Sequence, residues 1–288
     1  MAAILLEGKP IAEKIKLEIK AEIENLKNRL KAIPTLATIQ VGENPSAAVY
    51  LKSQKKNAKD IGIEFQEHCL PGATSEKELI AYLEKLNKDK AVTGILLQLP
   101  LPAHINSKEI HSYIVPIKDV EGMHPENVGQ VMFGKMRIGS CTALAVMELI
   151  KSTGVDLYGK EAVIVGHSEI VGKPVSLLLL DKFATTTVCQ IATGQRGYLP
   201  THVKRAEILV VAVGRPGIIQ GEWVKEGAIV IDVGINKVGD KIVGDVEFEK
   251  ASARASFITP VPGGVGPLTV TMLMRNTLEA FKLQHAKT

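Results

Sequence analysis

The sequence predicts an α/β protein in which an amino-terminal α/β layer precedes a doubly wound, Rossmann-type parallel sheet. Three observations carry this. Apolar, strand-like runs alternate with helical stretches along the chain. One run, in EAVIVGHSEIVGKP (161–174), passes through a glycine loop directly into a helix. Further glycines, among them Gly214 and Gly234, follow the later runs, at the edge where parallel sheets bind their ligands. A length of 288 residues, 45% hydrophobic and 23% charged, is enough for two such domains.

A long helix reads from about Lys9 to Lys31, followed by a strand at LATIQV (36–41), a helix from about Ser46 and a strand at IEFQEHCL (63–70). The next helix starts at Ser75, where Ser75 and Glu78 form a capping-box signature. In GILLQLPLP (94–102) prolines end an apolar strand and aim the chain outward. The apolar spacing of CTALAVMELIKSTG (141–154) suggests a bridging helix. Beyond it, strands are expected within TTTVCQIA (185–192), EILVVAVG (207–214) and GAIVIDVGIN (227–236). In TPVPGGVGPLT (259–269) three prolines and paired glycines fix one backbone path, and Pro267 can start the last helix. Such a segment can lie against a flat ring system or serve as a rigid connection.

The glycine loop has the form of a phosphate cradle. Val163, Ile164 and Val165 suit a buried parallel strand, Gly166 permits a sharp exit, and Gly172 allows close approach of backbone and ligand. The amides of the following helix then face a pyrophosphate. Ser168 stands at the middle glycine of the GxGxxG pattern, and the last glycine comes one residue late. An ordinary strand-to-helix turn shares so short a motif; the recurring strands beyond it favour a nucleotide.

Composition excludes several classes. The formal charge is +4, and the densest basic patch, KSQKKNAK (52–59), has no interleaved aromatics, which argues against nucleic acid and allows a small anionic substrate. The first ten residues lack a signal-peptide pattern, and no run approaches the roughly 20 apolar residues of a membrane span, so a cytoplasmic protein is expected. Cys69, Cys141 and Cys189 stand far apart, as reduced buried thiols do. His68, His104 and His111 show no ligand spacing, and no metal is expected.

Six ordered motifs then resemble one family over nearly the whole chain. VGENP (41–45) with Tyr50 downstream, QLPLP (98–102), KDVEG (118–122), VIVGHSEIVGKP (163–174), EWVKEGAIVIDVGIN (222–236) and TPVPGGVGP (259–267) resemble the bifunctional methylenetetrahydrofolate dehydrogenase/cyclohydrolase family. The resemblance implies a homodimer whose amino-terminal folate domain, residues 1–140 and 267–288, adjoins a Rossmann domain, residues 141–266, with a folate cleft between them. It implies hydride transfer from the one-carbon bridge of methylenetetrahydrofolate to NADP or NAD, where the cofactor does the chemistry and the protein positions the reactants. By the same resemblance Tyr50, Gln54, Gln98 and Glu121 form the catalytic set, and Pro100, Pro262 and Gly263 line the folate site. Gly166, His167, Ser168, Ile170, Gly172, Pro174, Gly214 and Ile235 would hold the dinucleotide.

The departures carry a prediction of their own. The family places its catalytic lysine four residues after the tyrosine, and this chain has Gln54 there. Four residues turn a helix by about 400°, which returns the side chain to the face of Tyr50; Lys55 and Lys56 are turned away by roughly 140° and 120°. Glutamine exchanges no proton near neutral pH, and hydrolysis of the methenyl product needs proton transfer, so cyclohydrolase activity is expected to be weak or absent. Glu121 replaces the usual aspartate with a carboxylate one methylene farther out. Ala47, Ser140 and Ala143 change the same region again. Gln190, Ile191 and Ala192 offer no cation for a 2'-phosphate, although Arg196 could reach back from its loop and His167 could contribute; NAD and NADP both stay open, and the family favours NADP. The rivals are a fully bifunctional enzyme using a repositioned lysine such as Lys56, a catalytically degenerate folate- or nucleotide-binding paralogue, and a Rossmann dehydrogenase for another small anion.

Overall fold

A computed structural model describes residues 3–107 and 109–286; the side chains of residues 45–47 and 49, Ala47 among them, lie outside the described residues. The elements follow in order as β1 (Ile4–Leu5), α1 (Gly8–Leu30), β2 (Thr35–Val41), α2 (Pro45–Ile61), β3 (Glu64–Leu70), α3 (Glu76–Lys88), β4 (Gly94–Leu97), α4 (Pro125–Met132) and α5 (Cys141–Ser152). Then come β5 (Glu161–Val165), α6 (Gly172–Leu180), β6 (Thr185–Cys189), α7 (Ile191–Gln195), α8 (Leu199–Arg205), β7 (Ile208–Val211) and β8 (Ile229–Asp232). The chain ends with β9 (Asn236–Val238), β10 (Lys241–Val243), α9 (Phe248–Ser252), β11 (Phe257–Ile258) and α10 (Val265–His285). The last helix therefore begins two residues before Pro267.

The chain divides into two compact units. One comprises the residues up to Glu13 together with Thr142–Thr269, and the other Lys14–Cys141 together with the residues from Val270 onward. This moves the expected boundary at the amino terminus: β1 pairs in parallel with β11, so the first residues join the larger sheet instead of the amino-terminal layer.

The larger sheet is parallel throughout, in the order β1-β11-β8-β7-β5-β6. β5, β7 and β8 read as unbroken apolar runs because both of their faces are covered. Val163, Leu209, Val211 and Val230 share a core with Val203, Ile219 and Ala251. The chain leaves β5 through α6 to β6 on one side, and β7 lies on the other. The carboxyl end of β5 is thus the switch point at which such sheets bind ligands.

The second unit has a three-stranded parallel sheet in the order β3-β2-β4. Helix α3 starts at Ser75, whose Oγ accepts the Glu78 N–H at 3.3 Å while Glu78 Oε2 accepts the Ser75 N–H at 2.8 Å. It buries Leu79, Leu83 and Leu86 against Ile39, Ile95 and Leu97. Cys141 and Cys189 are buried, but Cys69 is exposed, because β3 is an edge strand. In α10, buried Asn276 donates to the carbonyls of Val120 and Gly139, both at 2.8 Å, and fixes the segment that carries Glu121. Replacing it leaves the Gly139 carbonyl without this donor and the Val120 carbonyl with only the Cys141 thiol at 3.4 Å. Asn276→Ala is therefore expected to lower unfolding free energy by about 2 to 4 kcal/mol, measured by urea denaturation.

Candidate functional site

In the unit with the three-stranded sheet, Gln54 on α2 and Gln98 after β4 come together. Gln98 Nε2 donates to Gln54 Oε1 at 2.7 Å, with the two residues only 9% and 6% exposed. The Gln98 backbone N–H donates to Ile39 O at 2.9 Å, which holds its side chain at the end of the sheet. Tyr50, one helical turn before Gln54, is half exposed. Neither neighbouring lysine takes the inward place: Lys55 is exposed and pairs with Glu67 at 3.3 Å, and Lys56 is exposed. Pro100 follows a cis peptide bond and is exposed two residues beyond Gln98.

Glu121 is not a solvent-facing loop acid. Its Oε2 is buried with no hydrogen-bond partner. Burial first, and the Asp119 charge second, push its carboxyl up to about 8. Asp119 takes the donors of the loop: it accepts the N–H groups of Gly122 and His124 at 3.1 and 2.7 Å and Asn127 Nδ2 at 2.9 Å. Sequence reasoning passed over Asp119, because its partners appear only when the loop closes. Lys118, beside it, is buried and donates to the carbonyls of Leu86 and Asp89 at 3.0 and 2.6 Å, so its ammonium is committed to α3. Ser140 and Ala143 are both buried.

In the nucleotide-type unit, a cavity of about 690 Å³ opens at the end of β5 and is lined by Gly166, His167, Ser168, Gln190, Ile191 and Arg215, among others. Its size suits a small-molecule or cofactor site. Gly166 has φ +119°, and a Cβ there would overlap the Ala212 carbonyl; a Cβ at Gly172 would overlap the Gly166 carbonyl. Both glycines are required by the cradle. Ser168 Oγ accepts the Val171 N–H at 3.1 Å, and its carbonyl accepts the Lys173 N–H at 3.0 Å, so the serine braces the turn. Ile170 is half-buried in that turn, and Pro174 is buried in the first turn of α6.

Gly214 lies in the loop after β7, and Ile235 is exposed between β8 and β9. Pro262, again after a cis peptide bond, and Gly263 are exposed beyond β11; Gly263 O accepts the Gly8 N–H at 2.9 Å. Gln190 caps α7 through its side chain. Arg196, one of two candidate cations for a 2'-phosphate, lies over the Tyr198 ring with its guanidinium carbon 5.5 Å from the centroid. The unit also contains a buried carboxylate pair absent from the sequence reading, Asp232 and Asp245. Burial pushes Asp232 up to about 6 against the pull of three backbone N–H groups.

A family model described as tetrahydrofolate dehydrogenase/cyclohydrolase, catalytic domain, matches residues 6–121, and one described as its NAD(P)-binding domain matches residues 140–285. The bifunctional protein FolD 2 of Geobacter metallireducens is 52% identical over 279 residues, 96% of each chain. The crystal structure of the bifunctional FolD methylenetetrahydrofolate dehydrogenase/cyclohydrolase of Campylobacter jejuni has a TM-score of 0.94 at 44% identity, covering 98% of this chain and 100% of that one. The Trypanosoma brucei enzyme, complexed with NADP cofactor and inhibitor, has a TM-score of 0.95 at 39% identity, covering all of both chains.

Two outcomes are expected. The folded protein keeps a proton on Glu121 that the unfolded chain releases from its ordinary 4.5, so this group favours folding fully below about pH 4.5 and loses that advantage as pH rises through about 8. Glu121→Gln should therefore gain stability over the parent between about pH 5 and about pH 9, by an amount on the order of 3 kcal/mol in urea melts. Gly166→Ala, whose Cβ would overlap the Ala212 carbonyl and displace the cradle's backbone, should weaken NADH and NADPH binding by about tenfold or more in a nicotinamide fluorescence titration.

Proposed function

The chain belongs to the tetrahydrofolate dehydrogenase/cyclohydrolase family, and from that premise we propose a methylenetetrahydrofolate dehydrogenase in which the cyclohydrolase step is weak or absent. The observation that carries this reading is the bond between Gln54 and Gln98. When bound, NADP or NAD supplies the acceptor for the hydride that leaves the one-carbon bridge.

The chain's own groups orient and polarise. Tyr50 presents an exposed ring for the folate to pack on. Gln98 spends one amide hydrogen on Gln54 and retains its carbonyl oxygen, a dipole suited to the positive charge that develops as the methenyl cation forms. Glu121 offers a buried, unpartnered carboxyl oxygen to the donor edge of the pterin. In the nucleotide unit, the cradle of Gly166, Ser168 and Gly172 suits a pyrophosphate, with Ile170, Pro174, Gly214 and Ile235 as further contacts and Pro262 and Gly263 beside the folate. Neither amide of the glutamine pair takes or gives a proton near neutral pH, so neither activates water.

A second reading, full bifunctionality, draws on Glu121, whose carboxyl is pushed up to about 8 by burial and the Asp119 charge and so suits a general acid or base. The resemblance to bifunctional relatives also supports a homodimer in the cytoplasm. Among the described residues no helix is long and apolar enough to cross a membrane.

The test is to follow cofactor reduction by methylenetetrahydrofolate with NAD and with NADP, then the enzyme-dependent loss of methenyltetrahydrofolate above its spontaneous hydrolysis. Reduction without methenyl loss is expected. Rapid methenyl loss that disappears in Glu121→Gln would establish the second reading instead. Gln54→Lys is expected to raise methenyl hydrolysis by about 100-fold or more relative to hydride transfer.

A further inference from the structure

The nucleotide unit holds a carboxylate that this reaction does not use. Asp245 follows the β9–β10 hairpin and is 0% exposed. Its Oδ2 accepts the N–H groups of Val213 and Gly214 at 2.7 and 2.9 Å, and its Oδ1 accepts the Arg215 N–H and Asn236 Nδ2, each at 2.8 Å. Three successive backbone N–H groups converging on one anion form a nest, the arrangement that elsewhere holds a phosphate. Here the chain fills the nest itself. Val213 and Arg215 also line the 690 Å³ cavity, so the loop tied to Asp245 is one of its walls.

Asp245 is itself held from behind. Asp232, at the end of β8, accepts the N–H groups of Asp245, Val246 and Gly234 at 3.0, 2.8 and 2.9 Å. Its own N–H donates to Thr259 Oγ1 at 2.7 Å. The wall is therefore anchored through two buried carboxylates to the strands of the sheet.

We propose that Asp245 is the positioning residue of the dinucleotide cavity, acting as an internal anion that fills the nest at residues 213–215 and sets the wall on which the cofactor packs. The amides of that loop point to Asp245 and are withdrawn from the ligand. A pyrophosphate would then draw its donors from the turn between β5 and α6. This rests on the reading that the cavity takes the cofactor.

The experiment compares NADH and NADPH binding, by nicotinamide fluorescence, in the parent chain, Asp245→Ala and Gly166→Ala. Asp245→Ala leaves three N–H groups around a hole, and dinucleotide affinity should fall about tenfold or more. Formate, a carboxylate small enough for the hole, should restore much of that affinity, and formamide, neutral and of the same shape, should not. Undiminished binding in Asp245→Ala, or a loss that formate does not repair, overturns the proposal. Should Asp245→Ala fail to fold, Asn236→Ala decides: affinity lower by about threefold supports the clamp, and unchanged affinity overturns it. Loss in Gly166→Ala without loss in Asp245→Ala removes the clamp and keeps the cavity assignment. No loss in either removes both.

Discussion

A carboxylate withdrawn from water must be ringed by hydrogen-bond donors or give up its charge. Each unit has a loop folded around one such group. Asp119 gathers the N–H groups of Gly122 and His124 with the amide of Asn127. Asp245 gathers those of Val213, Gly214 and Arg215 with the amide of Asn236. Backbone donors spent in this way are unavailable to anything else. That explains why Glu121, between Asp119 and Gly122, keeps an oxygen with no partner, and why its carboxyl is the one that holds a proton. Two acids, two residues apart, differ because one of them consumed the local supply of donors.

What the sequence made legible is what short-range physics determines. The capping box at Ser75, the apolar runs of β5, β7 and β8, and the placing of Gln54 one turn after Tyr50 all depend on residues a few positions apart. The pairing of β1 with β11 was hidden, because a two-residue strand has no periodicity and its partner lies near the other end of the chain. The exposure of Cys69 follows from which strand forms the edge, a tertiary fact. Asp245 resembles any turn acid in sequence; its ligands at 213–215 lie about thirty residues away, and only the folded sheet brings them near.

The two departures from the family pattern, Gln54 and Glu121, have opposite electrostatic senses. By resemblance a lysine is replaced by a neutral amide, which removes one positive charge. An aspartate is replaced by a glutamate whose carboxyl is pushed up to about 8, which removes one negative charge at neutral pH. The sum is unchanged while the number of ionised groups falls by two, and fewer ions then need to be kept apart from water.

That exchange bears differently on the two chemical steps. Hydride departure builds positive charge on the folate, and a nearby ammonium would oppose it where the carbonyl dipole of Gln98 does not. Attack of water on the methenyl cation needs a group that accepts and returns a proton. On the proposed reading the glutamine pair, bonded to itself at 2.7 Å and buried, serves the first task. On the same proposed reading, Glu121 is the group of this unit suited to proton transfer, and its usefulness as a base grows as pH approaches about 8 and its buried carboxyl begins to ionise.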